Sequence, residues 1–237
     1  MPKVVILKTG STYPALRGRF GDFDSWFAAR LAPELNIEVV DVTADDLPGR
    51  PEDWDGILVT GSPAMVSDRE PWSEQTGNWL ADAVRAEVPL LGVCYGHQLL
   101  AHALGGEVGF HPRGRETGTH PVELLDSASD DPLLKALPRQ FQAQLTHRQS
   151  VLRLPPNAVL LARNEFEPHQ AFRLGPCAWG VQFHPEFSLE VMQAYLEVQA
   201  PDLKKEGLDA DALLTGVRNA PEASSLLDRF SRIVMNR

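Results

Sequence analysis

The sequence predicts an α/β fold, with a mostly parallel central sheet covered by helices on both faces in three layers. Three observations carry that expectation. Compact apolar runs bounded by charge, Gly or Pro recur along the first hundred residues, as buried parallel strands do. Segments of helical periodicity separate them, the strand–helix–strand order of a parallel sheet. The 237 residues are 43% hydrophobic and 23% charged, the composition of a packed globular chain and not of a disordered one.

Taken in order, residues 4–7, 37–41, 56–60 and 89–93 read as the parallel strands. Residues 23–35 place Phe23, Trp26, Phe27, Leu31 and Leu35 on one helical stripe. Residues 71–87 open with Pro71 in a first helical turn and set Trp72, Trp79, Leu80, Ala83 and Val84 mostly on one face. After about residue 118 the texture changes. Residues 120–125, 141–145, 159–162, 170–174 and 178–183 are strand candidates without long helices between them, which points to an antiparallel or mixed extension of the same sheet. From Ser188 the pattern is helical again, through Leu189, Met192, Tyr195 and Leu196. Two or three further helices follow, broken near Gly207, Gly216 and Pro221. With no repeat and no linker, the chain reads as one domain over residues 1–200 and a helical C-terminal extension, residues 201–237, packed on it.

Composition narrows the function classes. Lys plus Arg number 22 against 32 Asp plus Glu, a net charge of −10, which argues against a nucleic-acid partner because such binding rests on neutralising phosphates. No run of eighteen apolar residues exists, and Val4-Val5-Ile6-Leu7 is too short for a signal-peptide core. The expected compartment is a reducing cytoplasm, away from membranes. There a lone cysteine is either buried filler or a working thiol. Cys94 and Cys177 match no zinc or redox spacing, so their contexts must separate them.

Cys94 has the context of a nucleophile. The apolar run ending in Gly92-Val93-Cys94-Tyr95-Gly96 leads directly into a helical stretch with Leu99, Leu100, Ala103 and Leu104. This is the G-x-Nuc-x-G elbow, in which a tight strand-to-helix turn projects the nucleophile and the residues two positions away on either side, here Gly92 and Gly96, must be small. The helix N-terminus would stabilise a thiolate there, and the Tyr95 N–H would face a developing oxyanion. A thiol nucleophile needs a base and a group to orient it. His184 closes an apolar strand in Gln182-Phe183-His184-Pro185-Glu186, and alternation along an extended segment would turn His184 and Glu186 to one side. A zinc deaminase also uses H-x-E, but it requires a downstream Cys pair, and no Cys follows Cys177. No metal and no cofactor is expected. His97 and His102 lie on different helical faces; His111, His120 and His169 read as solvated; Cys177 reads as structural.

These two segments, Gly92 to Gln98 and Gly180 to Glu186, resemble the paired signatures of the class I, or triad, glutamine amidotransferases, and most of all stand-alone members similar to the amidotransferase domain of GMP synthase. The resemblance covers roughly residues 4–198. It implies a flavodoxin-like fold with Cys94 as nucleophile, His184 as base and later acid, and Glu186 as the group orienting His184. It implies further that Gly61, in Thr60-Gly61-Ser62-Pro63, completes an oxyanion hole with Tyr95, although Ser62-Pro63 departs from the glycines usual there. Gln98 would bind the γ-glutamyl group, and Thr146 and His147 would lie near the substrate's α-amino and carboxylate groups. The implied ligand is glutamine or another γ-glutamyl small molecule. The sequence holds no G-x-x-x-x-G-K-[ST] phosphate loop, so acceptor chemistry is expected on a separate synthetase subunit. Some stand-alone relatives are hydrolases of γ-glutamyl peptides or amines with a similar helical extension. A catalytically silent binding module would be expected to lack a triad member.

Overall fold

The computed structural model describes residues 1–237. The elements in chain order are β1 (Lys3–Lys8), α1 (Pro14–Phe20), α2 (Phe23–Ala28), β2 (Asn36–Asp41), β3 (Gly56–Val59), α3 (Pro71–Arg85), β4 (Leu90–Val93), α4 (Tyr95–Ala103), β5 (Glu107–Phe110) and β6 (Glu116–Leu124). They continue with β7 (Gln140–His147), β8 (Gln149–Arg153), β9 (Val159–Arg163), β10 (Ala171–Leu174), β11 (Ala178–Val181), α5 (Leu189–Lys205), α6 (Ala210–Gly216) and α7 (Pro221–Met235).

Nine strands form one sheet in the order β2-β1-β3-β4-β11-β10-β9-β6-β7. The five from β2 to β11 run parallel and the remaining four alternate antiparallel. The pleat sorts each parallel strand between two cores. Val4 and Ile6 of β1 face one side with Leu58, Leu91, Val93 and Trp179; Val5 and Leu7 face the other with Ile57, Val59 and Leu90. Helices α2 and α7 close the first face through Phe27, Leu226, Leu227 and Phe230. Helices α3 and α4 close the second through Trp79, Leu80, Leu99 and Leu100. Burial on both faces is why these strands read as unbroken apolar runs. No helix is long and apolar enough to cross a membrane.

Two expectations need correction, and two features are not among those expected. The helix expected over residues 23–35 ends at Ala28, and Leu31 and Leu35 reach the core from turns. Pro33 lacks an N–H and disfavours helical geometry at Ala32, whose own N–H donates to Ser231 Oγ at 3.0 Å. Residues 182 and 183 lie beyond β11, which stops at Val181. Finally, α1 and the small β5–β8 sheet carry no expectation from the sequence. Helix α1 buries only Leu16, and β5 holds an apolar pair split by Gly109, so neither shows a period.

A third core lies over the carboxyl end of the parallel strands. Leu16, Phe23 and Trp26 from α1 and α2 pack there against Phe187, just before α5, and against Val191, Met192, Tyr195 and Leu196 from its start. This cluster fixes the wall opposite the ends of β3, β4 and β11, where open α/β sheets place ligands.

Candidate active site

Cys94 sits between β4 and α4 at φ 52° and ψ −99°, a conformation that L residues rarely hold without surrounding restraint. The restraint is visible. Cys94 N–H donates to the Val181 carbonyl at 2.9 Å and Gly96 N–H to the Thr60 carbonyl at 3.2 Å, pinning the turn between β11 and β3. A Cβ on Gly92 would lie 2.5 Å from the Gly96 carbonyl oxygen, and one on Gly96 would lie 2.7 Å from the Val59 oxygen. Backbone meets backbone at both places, so both positions require glycine. The Cys94 side chain is left 7% exposed at the start of α4.

His184 is buried on the turn after β11. Its ring stacks on Phe187 with centroids 4.2 Å apart, and its Nδ1 lies 2.7 Å from Glu186 Oε1. The two side chains meet because residues 184–187 form a turn, closed by Phe187 N–H to the His184 carbonyl, and not through strand alternation. Since Glu186 accepts, Nδ1 carries a hydrogen and Nε2 is the nitrogen left for chemistry. Nε2 has no close partner, and Cys94 lies beside the ring. Burial opposes a charge on this imidazole, but Glu186 on one side and the Cys94 sulfur on the other outweigh it. His184 is pushed up to about 10.

Gly61 follows β3 and faces both groups: a Cβ there would meet His184 Cε1 at 3.1 Å and Cys94 Cβ at 3.7 Å. Its N–H donates to no protein group. The N–H of Tyr95, first residue of α4, has no acceptor within the helix. The Tyr95 ring points away, stacked on Trp72, with its hydroxyl 2.6 Å from Ser73 Oγ; burial pushes that phenol up to about 12. Tyr95 therefore offers the site its backbone alone.

Gln98 is buried, not solvent-facing. Its Nε2 donates to the Gln149 carbonyl at 2.7 Å and to Gln182 Oε1 at 3.0 Å, which turns Oε1 into the free end in the cavity. Thr146 lines the cavity, and its carbonyl lies 3.9 Å from Cys94 Sγ. His147 lines it too, but both ring nitrogens are committed: Nδ1 to the Gln149 carbonyl at 2.9 Å and Nε2 to Glu116 Oε2 at 2.8 Å. A carbonyl only accepts, so Nδ1–H donates, and the His147–Glu116 pair must share one proton across Nε2. That leaves His147 a buried support whose ring has no free nitrogen for a ligand. Gln170 Nε2 and Asn164 Nδ2 complete the shell of Glu116.

These groups open into one cavity of about 390 Å³. Its far wall comes from residues the sequence left unassigned. Thr12 Oγ1 lies 2.6 Å from Tyr195 OH, and Gln199 Nε2 donates to Thr146 Oγ1 at 3.1 Å. Thr12 and Tyr195 meet across 183 positions, which no local pattern records. The Phe20-Gly21-Asp22-Phe23 segment is the junction of α1 and α2: Asp22 caps α2, and Phe23 lines the cavity. Of the other histidines, His97 is fully buried against Phe172 and pushed down to about 3 by that burial. His111 is buried on Phe166 and so is not solvated, whereas His169 is half-buried and donates to the Val151 carbonyl. Cys177 lies far from the elbow on the opposite end of β11, with its sulfur 3.1 Å from the Glu87 carbonyl; burial pushes its thiol up.

Residues 25–200 match the family described as glutamine amidotransferase class-I. Among curated relatives, the glutamine-hydrolyzing GMP synthase of Aeropyrum pernix is 35% identical over 208 residues, 84% of this chain and 39% of that protein. A relative from Pyrococcus abyssi, named as one subunit of a glutamine-hydrolyzing GMP synthase, is 38% identical over 135 residues, 55% of this chain and 65% of that one. The chain thus spans well under half of the first and under two thirds of the second. A glutamine amidotransferase from Thermotoga maritima shares the fold with a TM-score of 0.77 at 22% identity over 98% of both chains. One from Methylobacillus flagellatus gives 0.68 at 26% identity, covering 99% of this chain and 89% of its own.

Proposed function

The chain belongs to the class-I glutamine amidotransferase family, and from that premise we propose that it hydrolyses the γ-glutamyl amide of glutamine through Cys94, His184 and Glu186. One observation carries the reading: the elbow holds Cys94 beside an imidazole that is itself bonded to a buried carboxylate. With its proton affinity raised, His184 holds the thiol proton and leaves the sulfur ready to attack.

The sulfur adds to the amide carbonyl carbon, and the oxygen takes the negative charge opposite the N–H groups of Gly61 and Tyr95. As the tetrahedral adduct collapses, His184 Nε2 passes its proton to the departing nitrogen and the C–N bond breaks. Ammonia leaves and a γ-glutamyl thioester remains. His184, now neutral, takes a proton from water, whose oxygen attacks the thioester; the C–S bond breaks and glutamate is released. Glu186 keeps Nδ1 protonated and the ring oriented throughout. Gln98 Oε1 is the acceptor placed for the substrate's polar hydrogens.

The Pyrococcus relative is named as one subunit of its enzyme, and the partner this reading implies for the present chain is a separate synthetase that consumes the ammonia. The test is ammonia release from glutamine by the purified protein. Cys94→Ala should abolish it and Cys177→Ala should retain most of it; activity that survives the first and fails with the second overturns the assignment.

A further inference from the structure

The chain carries a net charge of −10, yet the outer end of the catalytic cavity has a positive excess. Arg115 and Arg148 both line it, and their terminal nitrogens share a single oxygen, Oε1 of Glu206, at the end of α5. Asp202 also lines the cavity and is held by Lys205 at 3.1 Å. Among the residues that line this end, two cations thus face one anion. Arg115 is the distinctive member. Its side chain is only 6% exposed, its Nη2 donates to Glu206 at 2.9 Å, and its Nε–H is buried without any acceptor. A guanidinium presents five donors, and a buried donor left unpaired is costly unless a ligand completes it.

Resting on the reading of Cys94 as nucleophile, we infer that Arg115, with Arg148 beside it, binds a carboxylate of the substrate and selects for acids over their uncharged analogues. The planar fork matches a carboxylate in geometry as well as charge. That carboxylate has two sources in a γ-glutamyl compound: the α-carboxylate of the glutamyl group, or one carried by the leaving group. The second source has room, because Arg115 is also a wall of a neighbouring cavity of about 320 Å³.

Two substrate pairs separate the sources. Glutamine against its α-amide removes only the α-carboxylate; γ-glutamylglycine against γ-glutamylethylamide removes only the leaving-group carboxylate. Arg115→Met should lower kcat/KM through KM by about 10- to 100-fold for the acid of one pair, the range for a charged hydrogen bond, and leave its uncharged partner within about threefold. Whichever pair responds identifies the source. Equal loss on both members of both pairs, or no loss, overturns the inference. Arg115→Lys, which keeps the charge beside Glu206 and loses the Nε–H, should fall between, and it carries the test if the Met variant does not fold. A merely structural role for the ion pair predicts that Glu206→Gln behaves like Arg115→Met. Recognition predicts that Glu206→Gln keeps or lowers KM for the acid, since a competing carboxylate is gone.

Calorimetric titration of the Cys94→Ala protein with the same four compounds reads recognition without turnover. If the parent chain with Cys94 intact hydrolyses none of the four compounds, an acid preference that Arg115→Met removes overturns the proposed function and leaves this inference standing. Hydrolysis without any acid preference does the reverse.

Discussion

Glu186 Oε1 lies 2.7 Å from His184 Nδ1, and both side chains are buried. A buried carboxylate in that place sets both the tautomer of the ring and its affinity for a proton. Everything expected of His184 depends on this contact.

Glu186→Gln keeps the shape and removes the charge. His184 should then titrate well below about 10, because burial pushes it down and only the Cys94 sulfur still opposes that. Ammonia release should fall by on the order of 10²- to 10⁴-fold, the scale of an acid–base contribution. Stability gives a second readout. A histidine raised from 6.5 to about 10 contributes stability that is fully present below 6.5 and is lost as pH rises through 10. Denaturant titrations of the parent should lose stability across that window, and those of Glu186→Gln should lose less. Parallel profiles for the two proteins would refute the coupling.

Gly96→Ala tests the elbow. Its new Cβ would stand 2.7 Å from the Val59 oxygen and 2.8 Å from the Val59 Cβ, within a sheet that cannot give way on either side. Overpacking of this kind costs about 1–3 kcal/mol, and rigid backbone on both sides places this position at the upper end. Equilibrium denaturation measures it, and a loss under about 1 kcal/mol would mean that β3 and α4 are not so tightly opposed.

Glu116 tests the buried support behind Thr146 and Gln98. Glu116→Ala strands His147 Nε2, Gln170 Nε2 and Asn164 Nδ2 together, and should cost about 3–5 kcal/mol. Glu116→Gln can donate to a neutral His147 ring and still accept from Asn164, so it should cost less than half as much. Equal costs would show that the proton shared by the pair is not what the hydrogen bonds require.

Asp22 ties down the segment that walls the cavity. It accepts from Thr12 N–H at 2.8 Å, Phe23 N–H at 2.9 Å and Lys8 Nζ at 2.9 Å. Burial opposes its charge, yet these donors outweigh it and hold the carboxyl below its usual value. Its contribution is therefore present at neutral pH and is lost as pH falls through that lowered value. Asp22→Ala should cost about 1–2 kcal/mol, as the loss of a capping carboxylate does, and should raise KM more than it lowers kcat because Thr12, Tyr13 and Phe23 lose their anchor. An unchanged KM would detach the segment from substrate binding.

Much of this protein can be read along the chain. The parallel strands are legible because burial on both faces makes each a continuous apolar run, as residues 4–7 show. The candidate nucleophile is legible because the elbow needs two glycines at fixed spacing around Cys94, and spacing is a property of sequence. The His184–Glu186 pair is named by its motif, although a turn and not an extended strand brings the two together.

What the tertiary structure decided is which polar groups remain free. Gln98, His147 and Arg115 each have hydrogen-bonding atoms to which a sequence assigns no partners. Folding commits the Gln98 amide nitrogen to Gln149 and Gln182, and both nitrogens of His147 to Gln149 and Glu116. It leaves one buried N–H of Arg115 without an acceptor. Such commitments join residues distant in sequence, as Thr12 and Tyr195 do, and local periodicity carries no record of them. Spacing along the chain determined where a thiol is projected; long-range hydrogen bonding decided what surrounds it and what that cavity can still bind.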